Sequence, residues 1–338
     1  MSEQVPGWLQ PLCDLLDQRA VSWSMPTPHT AAATASVPAD LSLIVDGPVS
    51  SVLDVIGELC QHELEIRVAH WLVRDGQRAR IVLVRVVDGQ TTDQAILEVR
   101  ASEVVPTSRT WGRGRRRSLA NGGVNVAIYG PDGVGKSSVA AALAASLRNL
   151  GVPAPAVRTY HAFVDTDELT VRAESTATAV KASAYGRAAH PRLRASVLVV
   201  AYLKRLLLLL LEIRPWIRGG GIAVHDRYLL DVFLKSQKTQ PDLMPVLESL
   251  LPRFAPSDDL VFVLRADPEV VSARTGELEP AEVLAAYALL DRCLSRSRCA
   301  HRDVDANLEA EAVRSRLVQA VLDRQTQRFL ARREGSAA

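Results

Sequence analysis

The chain has 338 residues, with 40 Lys and Arg against 38 Asp and Glu, a net charge of +2 and 48% apolar residues. That length accommodates two domains with buried cores, and the near-neutral balance excludes a general nucleic-acid binder, which needs a strongly basic face. Cys13, Cys60, Cys293 and Cys299 form no CxxC pair, so they exclude a disulfide scaffold and read as reduced thiols of a cytoplasmic protein.

In chain order, residues 1–39 read as an irregular segment, because "SMPTPHTAAATASVP" is rich in Pro, Thr and Ala. No basic region followed by an apolar one opens the chain, so no signal peptide is expected. "DLSLIVD" alternates like a half-buried strand, and "VSSVLDVIGELCQH" follows at helical spacing. "LEIRVAHWLV" and "ARIVLVRVV" are strand-like runs separated by Asp75-Gly76, and Asp88-Gly89 marks a second turn before "AILEV". Residues 40–108 therefore read as a small, self-contained α+β domain. Residues 109–123, "RTWGRGRRRSLANGG", hold five arginines and four glycines and read as a solvated basic linker.

From Val124 strands alternate with helices. "VNVAIY" predicts a buried strand, 137–150 a helix with Gly151 at its C-terminal cap, "APAVRTY" a second strand and 192–214 a long apolar helix. Lys204 and Arg205 interrupt that helix, so neither half approaches the roughly 20 apolar residues of a membrane span. "GIAVHD" and "DLVFVL" predict two more strands, helices follow from Pro268 and from Pro280, and "RDVDA" predicts a short last strand. Asn307 is placed to cap a C-terminal helix. The alternation predicts a parallel sheet with helices on both faces over 124–333, before a short tail, 334–338.

Two motifs carry chemistry. GPDGVGKS, Gly130 to Ser137, satisfies G-x-x-x-x-G-K-[ST] with a strand before it and a helix after it. Gly130, Gly133 and Gly135 let the backbone curl so that N–H groups around Asp132 to Ser138 face phosphate oxygens, and the helix N-terminus adds its dipole. Lys136 is placed for the β- and γ-phosphates of ATP and Ser137 for Mg²⁺. The second motif is "GIAVHDRYLLD": Asp226 ends an apolar strand where a carboxylate holds Mg²⁺ or orients the attacking group, and Arg227 follows to neutralise phosphate charge. His190 and His225 read as structural.

GPDGVGKSS with HDRY and "DLVFVLRADPEVVSART" resembles the thymidylate kinase branch of P-loop nucleoside monophosphate kinases, over about 124–330. The resemblance implies an α/β, P-loop NTPase three-layer fold, here preceded by a smaller α+β domain. It implies roles at the phosphate-transfer centre for Lys136, Asp226 and Arg227, a place near a mobile lid for Arg274, and an acceptor-phosphate contact for Arg158. The acceptor side departs from the family: "RTYHAF" stands where Arg-Glu-Pro-Gly is expected, "DRYLLDVFLKSQ" replaces the thymine-pocket pattern, and the lid segment "RTGELEPAE" is short and acidic. His161, Tyr228 and Asp231 are candidate acceptor contacts in this rebuilt region. A hydroxyl acceptor needs a base, for which Asp226 or His161 is placed.

The first domain resembles a nucleotidyltransferase fold without its paired acids, since Ser42 stands where a second acid would follow Asp40, while Glu98 could take the third position. A degenerate domain that binds the acceptor or a partner is expected. The function expected is ATP-dependent phosphoryl transfer to a small-molecule acceptor, either a nucleoside monophosphate or a hydroxyl of a sugar or glycan. The alternative is a non-catalytic ATP-binding regulator acting through the first domain. The leucines at 206–211 are a candidate homodimer face.

Overall fold

The computed structural model describes residues 5–24, 41–74, 78–100, 123–161, 164–165, 200, 202–230, 260–276, 278–297 and 301–336. Asp40, the Asp75-Gly76 turn, nearly all of the 109–123 stretch, His190, Asp231 and Cys299 lie outside the described residues.

The first half builds a mixed sheet. Its strands are β1 (Ser22–Ser24), β2 (Leu41–Asp46), β3 (Ile66–Arg74), β4 (Arg78–Val87) and β5 (Gln90–Arg100), in the order β1-β2-β5-β4-β3. Only the β2–β5 pair among these is parallel. Asp88 and Gly89 adopt φ of 47° and 77° between β4 and β5, the positive pair that a two-residue hairpin turn requires. Helices α1 (Gln10–Gln18) and α2 (Val49–His62) cover one face, burying Leu12, Leu16, Val52 and Ile56 against Ile81, Leu83 and Leu97.

The second half is a parallel sheet flanked by helices. Strands β6 (Val124–Tyr129), β7 (Val157–His161), β8 (Val164–Asp165), β9 (Ile222–His225), β10 (Leu260–Arg265) and β11 (His301–Asp305) lie in the order β11-β10-β6-β9-β7-β8, with only β8 antiparallel. Its helices are α3 (Lys136–Asn149), α4 (202–218, with a π turn over Leu209–Ile213), α5 (Pro268–Thr275), α6 (Pro280–Arg296) and α7 (Ala310–Ser336). Val126, Ile128, Phe262 and Leu264 face α3 and α7, while Ala127, Tyr129, Val261 and Val263 face α4 and α6. Being covered on both faces is why these strands read as continuous apolar runs. Gly151 ends α3 at φ 78°, with Val152 N–H donating to Leu147 O at 3.2 Å, so the expected glycine cap is present.

Two expectations change. Asn307 does not begin the last helix, which starts at Ala310; its Oδ1 accepts from Asp267 N–H at 3.1 Å and so ties the β11 end to the loop after β10. Nor is the first sheet self-contained. Ala69, Val82, Val84 and Ile96, on the face away from α2, share one core with Leu143, Leu147 and Val152. Helix α7 completes the junction. Arg67 Nε donates to Asp323 Oδ1 at 2.9 Å, Val68 N–H to Thr326 Oγ1 at 3.0 Å, and Phe329 packs edge-on to Trp71 at 5.3 Å. The physical reason is visible in β4: the run Ile81–Val84 is apolar on both faces, and both need a cover. No helix of the described residues is long and apolar enough to cross a membrane. Along α4, Leu209 is buried while Leu207, Leu210 and Leu211 are exposed.

Candidate functional site at the carboxyl ends of the parallel strands

Strand β6 is central, with β9 and β7 on one side and β10 and β11 on the other. The chain therefore reverses its direction of sheet growth beside β6, which opens a crevice past the strand ends. The loop 130–135 enters that crevice between β6 and α3. Gly130, Gly133 and Gly135 take φ of 152°, 90° and 99°, a conformation that side-chain-bearing residues rarely adopt. At Gly130 an added Cβ would stand 2.8 Å from Val134 and 3.0 Å from Leu264 O, so packing alone demands glycine there. At Gly135 it would meet nothing within 4 Å. That glycine faces open space at the start of a 14-residue helix, where unpaired N–H groups and the dipole favour an anion.

Lys136 is 5% exposed, and its Nζ donates to Gly130 O at 2.8 Å, Pro131 O at 2.9 Å and Asp132 Oδ1 at 3.2 Å. Arg227 Nη2 donates to the same Asp132 oxygen at 3.1 Å. Asp132 thus gathers the two cations at the loop's lip. Behind them, Ser137 Oγ donates to Asp226 Oδ2 at 2.6 Å, and His161 Nδ1 lies 2.8 Å from that same oxygen. Burial works to raise the Asp226 carboxyl, but bonds from His161 and Ser137 and the charges of His161 and Arg227 outweigh it, holding the group below the usual range. The other oxygen, Oδ1, is buried and has no hydrogen-bond partner among the described residues.

Beneath the cluster lies a closed polar floor. His225 is fully buried, stacked on Tyr160 at 5.0 Å, with Nε2–H donating to Asn125 Oδ1 at 2.9 Å. Burial pushes its imidazole down to about 3, against a small upward pull from Asp226, so the ring is neutral at physiological pH. Asn125 Nδ2 in turn donates to the Tyr228 hydroxyl at 3.0 Å. His225 thus belongs to the buried floor beneath Asp226.

Of the residues singled out in the sequence, the fold brings together Gly130, Asp132, Gly133, Gly135, Lys136, Ser137, Asp226, Arg227 and His161. Ser138 is exposed on the first turn of α3. Three others are placed elsewhere. Arg158 is the second residue of β7, three before His161, and its guanidinium lies 4.9 Å over the Trp216 ring. Tyr228 is fully buried against His225 at 4.6 Å and belongs to the floor. Arg274 is exposed in the last turn of α5, and the described contacts do not join it to the cluster. Asn125, buried inside an otherwise apolar strand, carries no motif that singles it out. Cys13, Cys60 and Cys293 are buried and unbridged, and burial pushes Cys13 to about 11 and Cys60 to about 12, so these two are not reactive thiols.

The fold and this crevice define a mixed α/β protein with a glycine loop and a carboxylate cluster at the carboxyl end of its parallel sheet. No family model matches the chain, and no curated protein matches it. Solved structures do; one is a thymidylate kinase from Ehrlichia chaffeensis, 15% identical, aligned over 59% of this chain and 99% of that one with a TM-score of 0.37.

Proposed function

We propose that the chain is an ATP-dependent phosphotransferase whose acceptor is a hydroxyl group of a sugar or glycan. The observation that carries the reading is the convergence of Ser137 and His161 on one oxygen of Asp226, beside Lys136 at the glycine loop. The residues fit a triphosphate: Gly135 leaves room at the helix start, and Lys136 exchanges its bonds to loop carbonyls for phosphate oxygens. They also fit Mg²⁺, because Ser137 Oγ and the unpartnered Asp226 Oδ1 are hard oxygen donors of the kind it selects. When bound, Mg²⁺ neutralises charge on the phosphates.

The chain's own residues supply the rest. Arg227 and Lys136 stabilise charge on the transferring group. His161 is 41% exposed on its side chain; in its neutral form, with Nδ1–H donated to Asp226, Nε2 carries the lone pair. It takes the acceptor hydroxyl proton as the new O–P bond forms and the bond to the ADP leaving oxygen breaks. Arg158, the residue expected to meet an acceptor phosphate, lies over the Trp216 ring instead. The test is to incubate the full chain with Mg-ATP and panels of sugars, glycans and nucleoside monophosphates, following ADP and phosphorylated product. Turnover with hydroxyl acceptors is expected. Turnover with nucleoside monophosphates alone would overturn the acceptor assignment, and ATP binding without turnover on any panel would favour a regulatory ATP-binding protein.

A further inference from the structure

A cleft of about 720 Å³ opens between the two sheets, well away from the glycine loop. One wall is the segments 153–156 and 219–221, which lead into β7 and β9. The cleft therefore lies at the amino ends of the strands whose carboxyl ends carry His161 and Asp226. The other wall is the face of the first sheet that also packs on α3.

That face changes character along its strands. On β4, Arg78, Arg80, Val82 and Val84 point the same way, because alternate residues share a face. Val82 is in register with Ile96, and both would lie 3.5 Å from a Cβ added at Gly151, so this row is the packed part. One row along, Arg80 sits opposite Glu98, and the side chains line the cleft. A sheet face that serves only as packing has no use for a charged row next to an apolar one.

Two atoms in this wall are buried without a hydrogen-bond partner among the described residues: His70 Nδ1 and Arg80 Nε. His70 is 2% exposed and donates Nε2–H to Gly220 O at 2.9 Å, which leaves Nδ1 as a lone-pair acceptor. Burial, reinforced by Arg80, holds the ring neutral despite the Gly220 bond. Buried polar atoms are ordinarily satisfied, so an orphaned acceptor beside an orphaned cationic donor marks a place where a ligand supplies both partners.

We propose that this cleft is a second ligand site, for a phosphate monoester of a hydroxyl-bearing ring, a sugar or a nucleoside. The phosphate lies against Arg78 and Arg80, whose planar forks suit it, and a ring hydroxyl donates to His70 Nδ1. Glu98 accepts from a further hydroxyl, and Trp216 contributes an apolar wall. The site is separate from phosphoryl transfer, since the length of β7 and β9 stands between it and the carboxylate cluster. It goes beyond the phosphotransferase reading and does not depend on it.

The experiment uses the full chain carrying Lys136→Ala, which silences the glycine loop, titrated calorimetrically with glucose 6-phosphate and with uridine monophosphate. At least one probe binds it as it binds the unsubstituted chain, and the preferred probe identifies the ring. Arg78→Gln with Arg80→Gln weakens that binding by about tenfold or more. Failure of both probes to bind the Lys136→Ala chain overturns the proposal, as does affinity indifferent to the two arginine changes. Should the double variant not fold, hydrogen exchange on the unsubstituted chain decides. Protection of 153–156 and 219–221 on adding the probe supports the site, and protection confined to 130–137 overturns it.

Discussion

The two sheets handle polar residues in opposite ways. In the parallel sheet the central strands are apolar on both faces apart from the buried Asn125 and His225, and the reactive groups stand just past their ends: the glycine loop after β6, Asp226 after β9 and His161 at the end of β7. In the mixed sheet the charges stand on the strands themselves, with Arg78, Arg80 and Glu98 on a face that turns apolar two residues later. The first arrangement lets loops be shaped for chemistry while the sheet supplies only rigidity. The second fixes charges on paired backbone, which suits holding a ligand and not moving a proton.

The shared core between the sheets yields the largest expected effect. Removing residues 1–110 strips the cover from one face of α3 and the partners of Thr326 and Phe329, so the remainder is expected not to fold; a soluble, cooperatively melting 111–338 fragment would separate the two sheets after all. On the intact chain, urea denaturation followed by fluorescence and by circular dichroism is expected to show a single coincident transition. Next in size, Lys136→Ala is expected to lower turnover by about 10²–10³-fold, as loss of one charge-stabilising donor does. His161→Gln is expected to lower kcat by roughly 10²-fold while leaving ATP affinity unchanged. A matching loss of ATP affinity would make His161 part of the donor site.

A smaller effect separates floor from site. His225 stays neutral in the fold down to about pH 3, whereas in the unfolded chain it protonates near 6.5. Its contribution is therefore complete above 6.5 and is lost as pH falls, by about 1.4 kcal/mol per pH unit between those values. Urea midpoints at pH 7 and pH 5 measure the slope, and His225→Asn is expected to flatten it. Smallest of all, Arg158→Ala is expected to change turnover by less than about threefold, because its guanidinium rests on Trp216 outside the cluster. A loss comparable to that of His161→Gln would return Arg158 to the acceptor site.

Much of this architecture was legible. The glycine loop, the strand ending in Asp226 and the strand–helix alternation after Val124 announce themselves, because parallel strands and phosphate loops impose spacing that few other structures share. Three things were not. Arg158 is singled out by the resemblance alone, but β7 continues three residues beyond it to His161, and strand ends are the hardest positions to place. Tyr228 looked like an acceptor contact, whereas the turn after β9 directs it inward onto Asn125 and His225. The joining of the sheets was written in Ile81–Val84, apolar on both faces, but nothing in the sequence says what the second cover is.

Helix α7 bears on how the molecule is made. Its 27 residues are synthesised long after the first sheet, yet they hold β3, the edge strand of that sheet. Thr326 occupies the Val68 N–H on that edge, and Phe329 closes the core over Trp71. During translation the early strands must therefore wait with an open edge, the kind that pairs with neighbouring chains. A ribosome that stalls before α7 has emerged would leave the first sheet unsealed.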